Sequence, residues 1–371
     1  MAENTYTEVT TKSFGQNIKN SFGGIIVGLI IFVISIVVLW CNEGNLARQN
    51  KIANYINNNA IPVESSIIDN ANDSKLISTS GKAITNESLT DGIITVPNAL
   101  ALKRTVEMYQ WEENEETESK TNMGGSTTET TTYSYEKVWS DKPIDSSKFH
   151  KTSYTNPQMT LQSERYNAKN GEFGAFKLSE TQTLSMHDLS DYTNLPWSSK
   201  YKIVGNYYYQ GQNMDSPSIG DIRISYSYKQ SNSPISVIGM QRSDKTITPM
   251  ISKDGKIYIQ YDGLLSQAEM VEKFKKGNIL LTNIFRFIGF ILMFIGLNMI
   301  LRPLAVLLSF IPVFERIVSI ISGGIVFLVS LVLSLLVIAI AWLFYRPVLA
   351  ICILALVAAL VIFIKNKIQA K

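Results

Sequence analysis

Residues 23–41, GGIIVGLIIFVISIVVLWC, run for nineteen positions without one charge. At about 1.5 Å per residue, a helix of this length nearly matches a hydrocarbon core roughly 30 Å thick. A cleaved secretory signal has a shorter apolar core and a small-residue cleavage site, whereas this run ends in Trp40-Cys41-Asn42-Glu43-Gly44. A retained membrane anchor is expected. Three more apolar stretches follow near the other end, at residues 279–301, 317–345 and 347–364, and only Arg286 interrupts the first of them. Between the second and third spans, residues 304–314 are too short to cross, are broken by Pro303 and Pro312 and are flanked by Arg302 and Arg316, so an interfacial or re-entrant segment is expected there.

Four spans put both termini on one side. Lys12 and Lys19 before the first span balance Arg48 and Lys51 after it. Arg302 and Arg316 in one turn and Lys365, Lys367 and Lys371 in the tail stand against Arg346 alone in the other turn, which favours cytoplasmic termini. The expected architecture is an α+β membrane protein. Residues 1–21 form a cytoplasmic segment, 22–44 the first transmembrane helix and 45–277 a β-rich extracytoplasmic or lumenal domain. Residues 278–301 form the second helix, 302–316 the interfacial or re-entrant segment, 317–345 the third helix, 346–364 the fourth and 365–371 a cytoplasmic tail.

The middle region reads mostly as strands. After NLARQNKIANYINNN, which extends the first helix until the Asn run and Pro62, short segments rich in β-branched and aromatic residues alternate with Gly, Pro, Asn and Ser. The clearest is GDIRISYSYK, where Ile222, Ile224, Tyr226 and Tyr228 fall on one face and Arg223, Ser225 and Ser227 on the other. In VEMYQW, residues 106–111, Val106 and Met108 share one face while Glu107, Tyr109 and Trp111 share the opposite one. Those last three are candidate contact residues of the exported domain. The acidic run at 112–118 is expected to be a solvated loop leading to a strand at Tyr133, since it lacks the glycine turn and ligand spacing of a calcium loop. Ser266 and Glu269 have the spacing of a capping box and open a short amphipathic helix at the membrane entry.

Signatures of chemistry are sparse. There is no phosphate-binding glycine loop, no HExxH, no G-x-S-x-G and no Cys/His spacing for zinc, so no catalytic, metal or cofactor residues are assigned and a non-enzymatic protein is expected. His187 and Asp188 are adjacent, and neighbours on an extended chain point to opposite faces, which argues against a charge relay. A net charge of +3 gives no footprint for nucleic acid. Within the spans, Arg286 is expected to snorkel to the interface or to meet a partner. Asn298 and Arg302 lie one helical turn apart, in a position for interhelical bonding or anchoring. Trp342, Tyr345 and Arg346 in WLFYRP suit an aromatic belt at the last turn.

The chain resembles the LUMA, or transmembrane protein 43, family over nearly its whole length. The marks are NEG at 42–44, VEMYQW at 106–111, YSY at 133–135, NP at 156–157 and GDIRISYSY at 220–228, followed by GLN at 296–298, PVF at 312–314 and WLFYRP at 342–347. The resemblance implies one N-terminal span, a large extracytoplasmic domain and three C-terminal spans. It also implies self-association and the organisation of membrane protein complexes, with the lipid bilayer, a second copy of the chain and unidentified membrane or envelope proteins as partners. The N-terminal stretch TYTEVTTKSFGQNIKNSFGG looks closer to bacterial relatives, which implies a bacterial cytoplasmic membrane; endoplasmic reticulum or inner nuclear membrane is the alternative. Two other functional classes stay open: an oligomeric channel or transport component lined by Arg286, Asn298 and Arg302, and a sensor of envelope stress or a defence component.

Overall fold

The computed structural model describes residues 5–122, 126–308 and 324–346. The chain divides into a unit made of Met1–Glu8, Asn54–Thr117 and Thr131–Lys273 and a second made of Val9–Ala53, Glu118–Thr130 and Phe274–Lys371. The first is β-rich and the second is dominated by long helices.

Two large sheets, beside two short two-stranded ones, build the β-rich unit. One has the strand order Thr5–Lys12, Thr127–Ser140, Ala99–Thr121, Ile222–Gln230, Tyr207–Gln210, Lys202–Val204, with Ser190–Asp191 and Glu164–Asn167 also pairing into it. Its antiparallel centre sets Ile222 opposite Met108 and Ile224 opposite Val106. The expected alternation holds: Ile222, Ile224 and Tyr226 are buried with Val106, Met108 and Tyr208 in one apolar cluster, while Arg223, Ser225 and Ser227 are only half-buried on the other face. The second sheet centres on Leu76–Ile84 paired with Ser233–Gln241 over eight registered positions. Ile77, Phe173, Phe176, Ile235 and Val237 form its core. Leu76–Ile84, LISTSGKAI, escapes the sequence reading because its Ser, Thr and Gly residues dilute any apolar period. Leu76, Ile77, Ser78 and Thr79 are buried in succession, as in a strand covered on both faces.

The acidic run corrects an expectation. Residues 112–118 are not a loop but the continuation of the 23-residue strand Ala99–Thr121, which pairs with Thr127–Ser140. Cross-strand bonds carry it: the Tyr135 hydroxyl donates to Glu113 at 2.6 Å, Asn114 Nδ2 donates to Glu136 at 2.7 Å, and the Thr117 and Thr131 hydroxyls meet at 3.0 Å. Tyrosine, asparagine and threonine side chains bonded across the strands satisfy part of this polar ladder.

Residues 1–21 also contain a strand. Thr5–Lys12 is an edge strand on Thr127–Ser140, with Lys12 Nζ bonded to Glu129 at 2.6 Å and Asn17 Nδ2 donating to the Thr127 hydroxyl at 2.9 Å.

Three helices among the described residues are long and apolar enough to cross a bilayer: Gly23–Asn59, Gln267–Pro303 and Val326–Tyr345. The first belongs to one helix, Phe14–Asn59, that continues through NLARQNKIANYINNN as expected. The second is Gln267–Leu308, capped by Ser266 and Glu269 through reciprocal bonds of 3.3 and 2.7 Å. It is not a short entry helix followed by a separate span; the helix is continuous and runs past Pro303, where one missing N–H is tolerated as it often is in membrane helices. The expected fourth span at 346–364, the tail, and the interfacial stretch beyond residue 308 lie outside the described residues, apart from Arg346.

Candidate functional site

In the helical unit, the polar residues of the apolar helices converge on Asn42-Glu43-Gly44. The Glu43 side chain is 1% exposed, and Arg286 grips it with both arms of its guanidinium, Nε to Oε1 at 2.6 Å and Nη2 to Oε2 at 2.9 Å. Trp342 Nε1 donates to Glu43 Oε2 at 2.7 Å, and Asn283 Oδ1 accepts from Arg286 Nη1 at 3.1 Å. One residue earlier, Asn42 Nδ2 donates to the Thr282 carbonyl at 3.0 Å. Of the two alternatives expected for Arg286, the structure supplies a partner, a carboxylate on a neighbouring helix. Glu43 is the residue the sequence reading missed. Its signal was an acid at the end of one span with a lone arginine inside another.

Glycines set the spacing that permits this. A Cβ on Gly296 would lie 2.8 Å from the Phe32 backbone nitrogen, and one on Gly28 would lie 2.9 Å from the Gly296 carbonyl oxygen, so the first and second long helices touch backbone to backbone. A Cβ on Gly44 would sit 2.6 Å from the Tyr345 ring. Tyr345 therefore packs over the glycine of the NEG triplet, next to Trp40 at a ring separation of 5.9 Å. Arg346 stacks its guanidinium 4.5 Å from the centre of the Trp342 ring.

Arg286, Trp342, Tyr345 and Arg346 thus gather around one triplet, and two other expected residues do not. Asn298 Nδ2 bonds the Phe294 carbonyl of its own helix at 2.8 Å, and Arg302 is exposed. Twelve residues separate Asn298 from Arg286, about 18 Å along a helix. They do not form a continuous polar line.

The three candidate residues of the β-rich unit are each engaged within the chain. Glu107 holds Arg223 through two bonds of 2.7 and 2.9 Å, and the Arg223 guanidinium lies over the Trp139 ring at 4.6 Å and the Tyr207 ring at 5.3 Å. Hydrogen bonding and the Glu107 charge raise the Arg223 pKa, against burial, which lowers it. Tyr109 packs on Trp139 at 5.2 Å, and Trp111 packs on Tyr154 at 4.7 Å under the Lys137 ammonium. Asn156 treats Trp111 as a strand partner would, accepting from its N–H at 2.7 Å and donating to its carbonyl at 2.9 Å. Between them the buried Gln110 donates to the Lys142 carbonyl at 3.0 Å and accepts from the Ile144 N–H at 2.8 Å. VEMYQW is therefore the frame on which the loop 141–157 is hung, and NP at 156–157 is one of its ties.

The same unit contains a second buried carboxylate. Asp91 Oδ1 accepts the N–H groups of Ile93 and Ile94, both at 2.9 Å, while Oδ2 accepts from Arg104 at 2.9 Å and from the Tyr226 hydroxyl at 2.7 Å. Burial alone would raise this carboxyl, but the Ile94 N–H, Tyr226, the Ile93 N–H and Arg104 outweigh it and hold the pKa below the ordinary range. The backbone N–H groups of His187 and Asp188 are both held by Asp262, at 3.2 and 3.1 Å. Among the described residues no group of three or more His, Cys, Asp or Glu side chains is placed to share a metal ion.

The profile of the family described as transmembrane protein 43 matches residues 108–347. Mouse transmembrane protein 43 is 30% identical across 96% of this chain and 93% of its own length. The human protein is 29% identical over 99% and 96%, and the fruit-fly homolog 26% over 92% and 94%. No solved structure matches the chain. The match takes in the Glu107–Arg223 frame, apart from Glu107 itself, and the Arg286 and Trp342 positions, and with relatives this similar over nearly the full length, the chain belongs to the transmembrane protein 43 family.

Proposed function

We propose that this multi-pass membrane protein is a non-enzymatic scaffold, in which the helices anchor a folded β-rich domain that organises membrane protein complexes through self-association and contact with neighbours. The observation carrying this reading is that the charged pair inside the apolar helices is consumed in holding them together: Glu43 is closed off by Arg286 and Trp342. A transport pathway needs polar groups facing water, and Arg286 and Asn298 both spend their donors inside the bundle. Self-association is tested by the mass of the detergent-solubilised full chain together with crosslinking in cells. Species larger than one chain and reproducible crosslinked neighbours are expected; a strict monomer with no captured neighbour sinks the proposal. Planar-bilayer recording of the parent protein separates it from the channel alternative: a silent membrane is expected, and a reproducible conductance counts against the scaffold reading.

A further inference from the structure

The β-rich unit turns one tryptophan outward. Trp197 is 83% exposed, the most exposed of the large apolar side chains described. An exposed tryptophan on a mobile tail would mean little, but this one is held in position. The buried Tyr208 donates its hydroxyl to the carbonyl of Pro196, the residue just before it, and the Ser198 hydroxyl just after it accepts the N–H of Lys200 at 3.2 Å. Leu195 and Tyr201, two and four positions away, both pack into the core of the first sheet. The chain dips into the core on either side and turns Trp197 outward between.

Its neighbours extend the surface. Lys202–Val204 is the last strand of that sheet's main order and turns through Gly205-Asn206 into Tyr207–Gln210. On it Ile203 is 46% and Val204 38% exposed. From Asp191 to Asp215 the chain carries two lysines, Lys200 and Lys202, and no carboxylate between them. Tryptophan, aliphatic residues and lysine without acids are the combination that settles at a lipid headgroup boundary, where the ring partitions into the interface and the ammonium groups meet phosphate. The unit is joined to apolar helices at Asn59 and Gln267, so a bilayer is always within its tether.

We propose that the Trp197–Val204 edge is a second, peripheral membrane contact, which seats the β-rich domain on a surface of anionic lipid. The charge complementarity of Lys200 and Lys202 selects anionic headgroups, and Trp197 supplies the interfacial anchor.

The test uses the full chain in proteoliposomes, with a polarity-sensitive fluorophore on Trp197→Cys in a Cys41→Ser, Cys352→Ser background and a control label on Ser216→Cys. All these proteins are first matched to the parent in detergent melting. With phosphatidylglycerol present, doxyl-labelled lipids are expected to quench position 197 and not 216, and Lys200→Glu with Lys202→Glu to lower that quenching about twofold. Equal quenching at 197 and 216 overturns the proposal. So does a label at 197 that is shielded from aqueous iodide yet untouched by doxyl lipid, because a protein then covers the edge. Quenching indifferent to phosphatidylglycerol and to both lysine changes overturns the anionic-lipid assignment.

Discussion

Glu43 in the helical unit and Asp91 in the β-rich unit are built from the same parts. Each carboxylate is almost wholly buried, each faces one arginine, and each accepts a further bond from an aromatic donor, Trp342 in one case and Tyr226 in the other. They differ in what else is bound. Asp91 takes two backbone N–H groups from its own turn, and Arg104 spends its remaining donors on the Gln162 carbonyl and Glu164. That network stitches a turn to neighbouring strands and is satisfied largely by local backbone. Among the described residues, Glu43 draws its donors from side chains, Arg286 on the second long helix and Trp342 on the third. It joins three helices at one point, so its loss is a loss of assembly.

Removing one partner of a buried pair leaves an uncompensated charge, so Arg286→Ala is expected to have the largest effect, about 3–5 kcal/mol of bundle stability. Thermal unfolding in detergent measures it, and exchanging the charges with Glu43→Arg and Arg286→Glu should recover part of the loss. No recovery and no destabilisation would remove the distinction drawn here. Trp342→Phe keeps the ring and deletes one bond to a charged group, for about 1.5–3 kcal/mol by the same assay.

Acid probes the Asp91 network. The folded-state pKa of Asp91 is depressed, so its contribution is complete above the ordinary carboxylate pKa near 4 and is lost as pH falls through the lower folded value. The Tm of the β-rich unit is expected to fall between pH 4 and lower pH, and Asp91→Asn to flatten that dependence while lowering stability at pH 7. An unchanged acid profile in Asp91→Asn contradicts it. The smallest effect belongs to Glu107→Gln. Both side chains of the Glu107–Arg223 pair are more than one-fifth exposed, so solvent screens it, and about 1 kcal/mol or less is expected, measured as a small drop in Tm.

Some of this was legible in residue order and some was not. The alternation in residues 222–228 exposed its buried face at once, because period two maps directly onto a sheet with one covered side. Ser266 and Glu269 announced a helix start for a similarly local reason, three residues between two side chains that cap each other. The acidic strand at 112–118 was hidden, since its stability comes from Tyr135, Glu136 and Thr131 on the opposite strand and not from any apolar period of its own. The strand Thr5–Lys12 was hidden likewise: its partner lies over a hundred residues away.

The amino-acid sequence by itself determined that this chain holds helices long and apolar enough for a bilayer, that its middle is β-rich, and to which family it belongs, because composition and short-range period report solvent preference and local backbone geometry. Only the tertiary structure decided that Arg286 meets Glu43, that VEMYQW carries the loop 141–157, and that Trp197 is held outward. Each of those depends on which side chains, 243 residues apart for the Glu43–Arg286 pair, share a few ångströms of space, and local patterning carries no record of that distance.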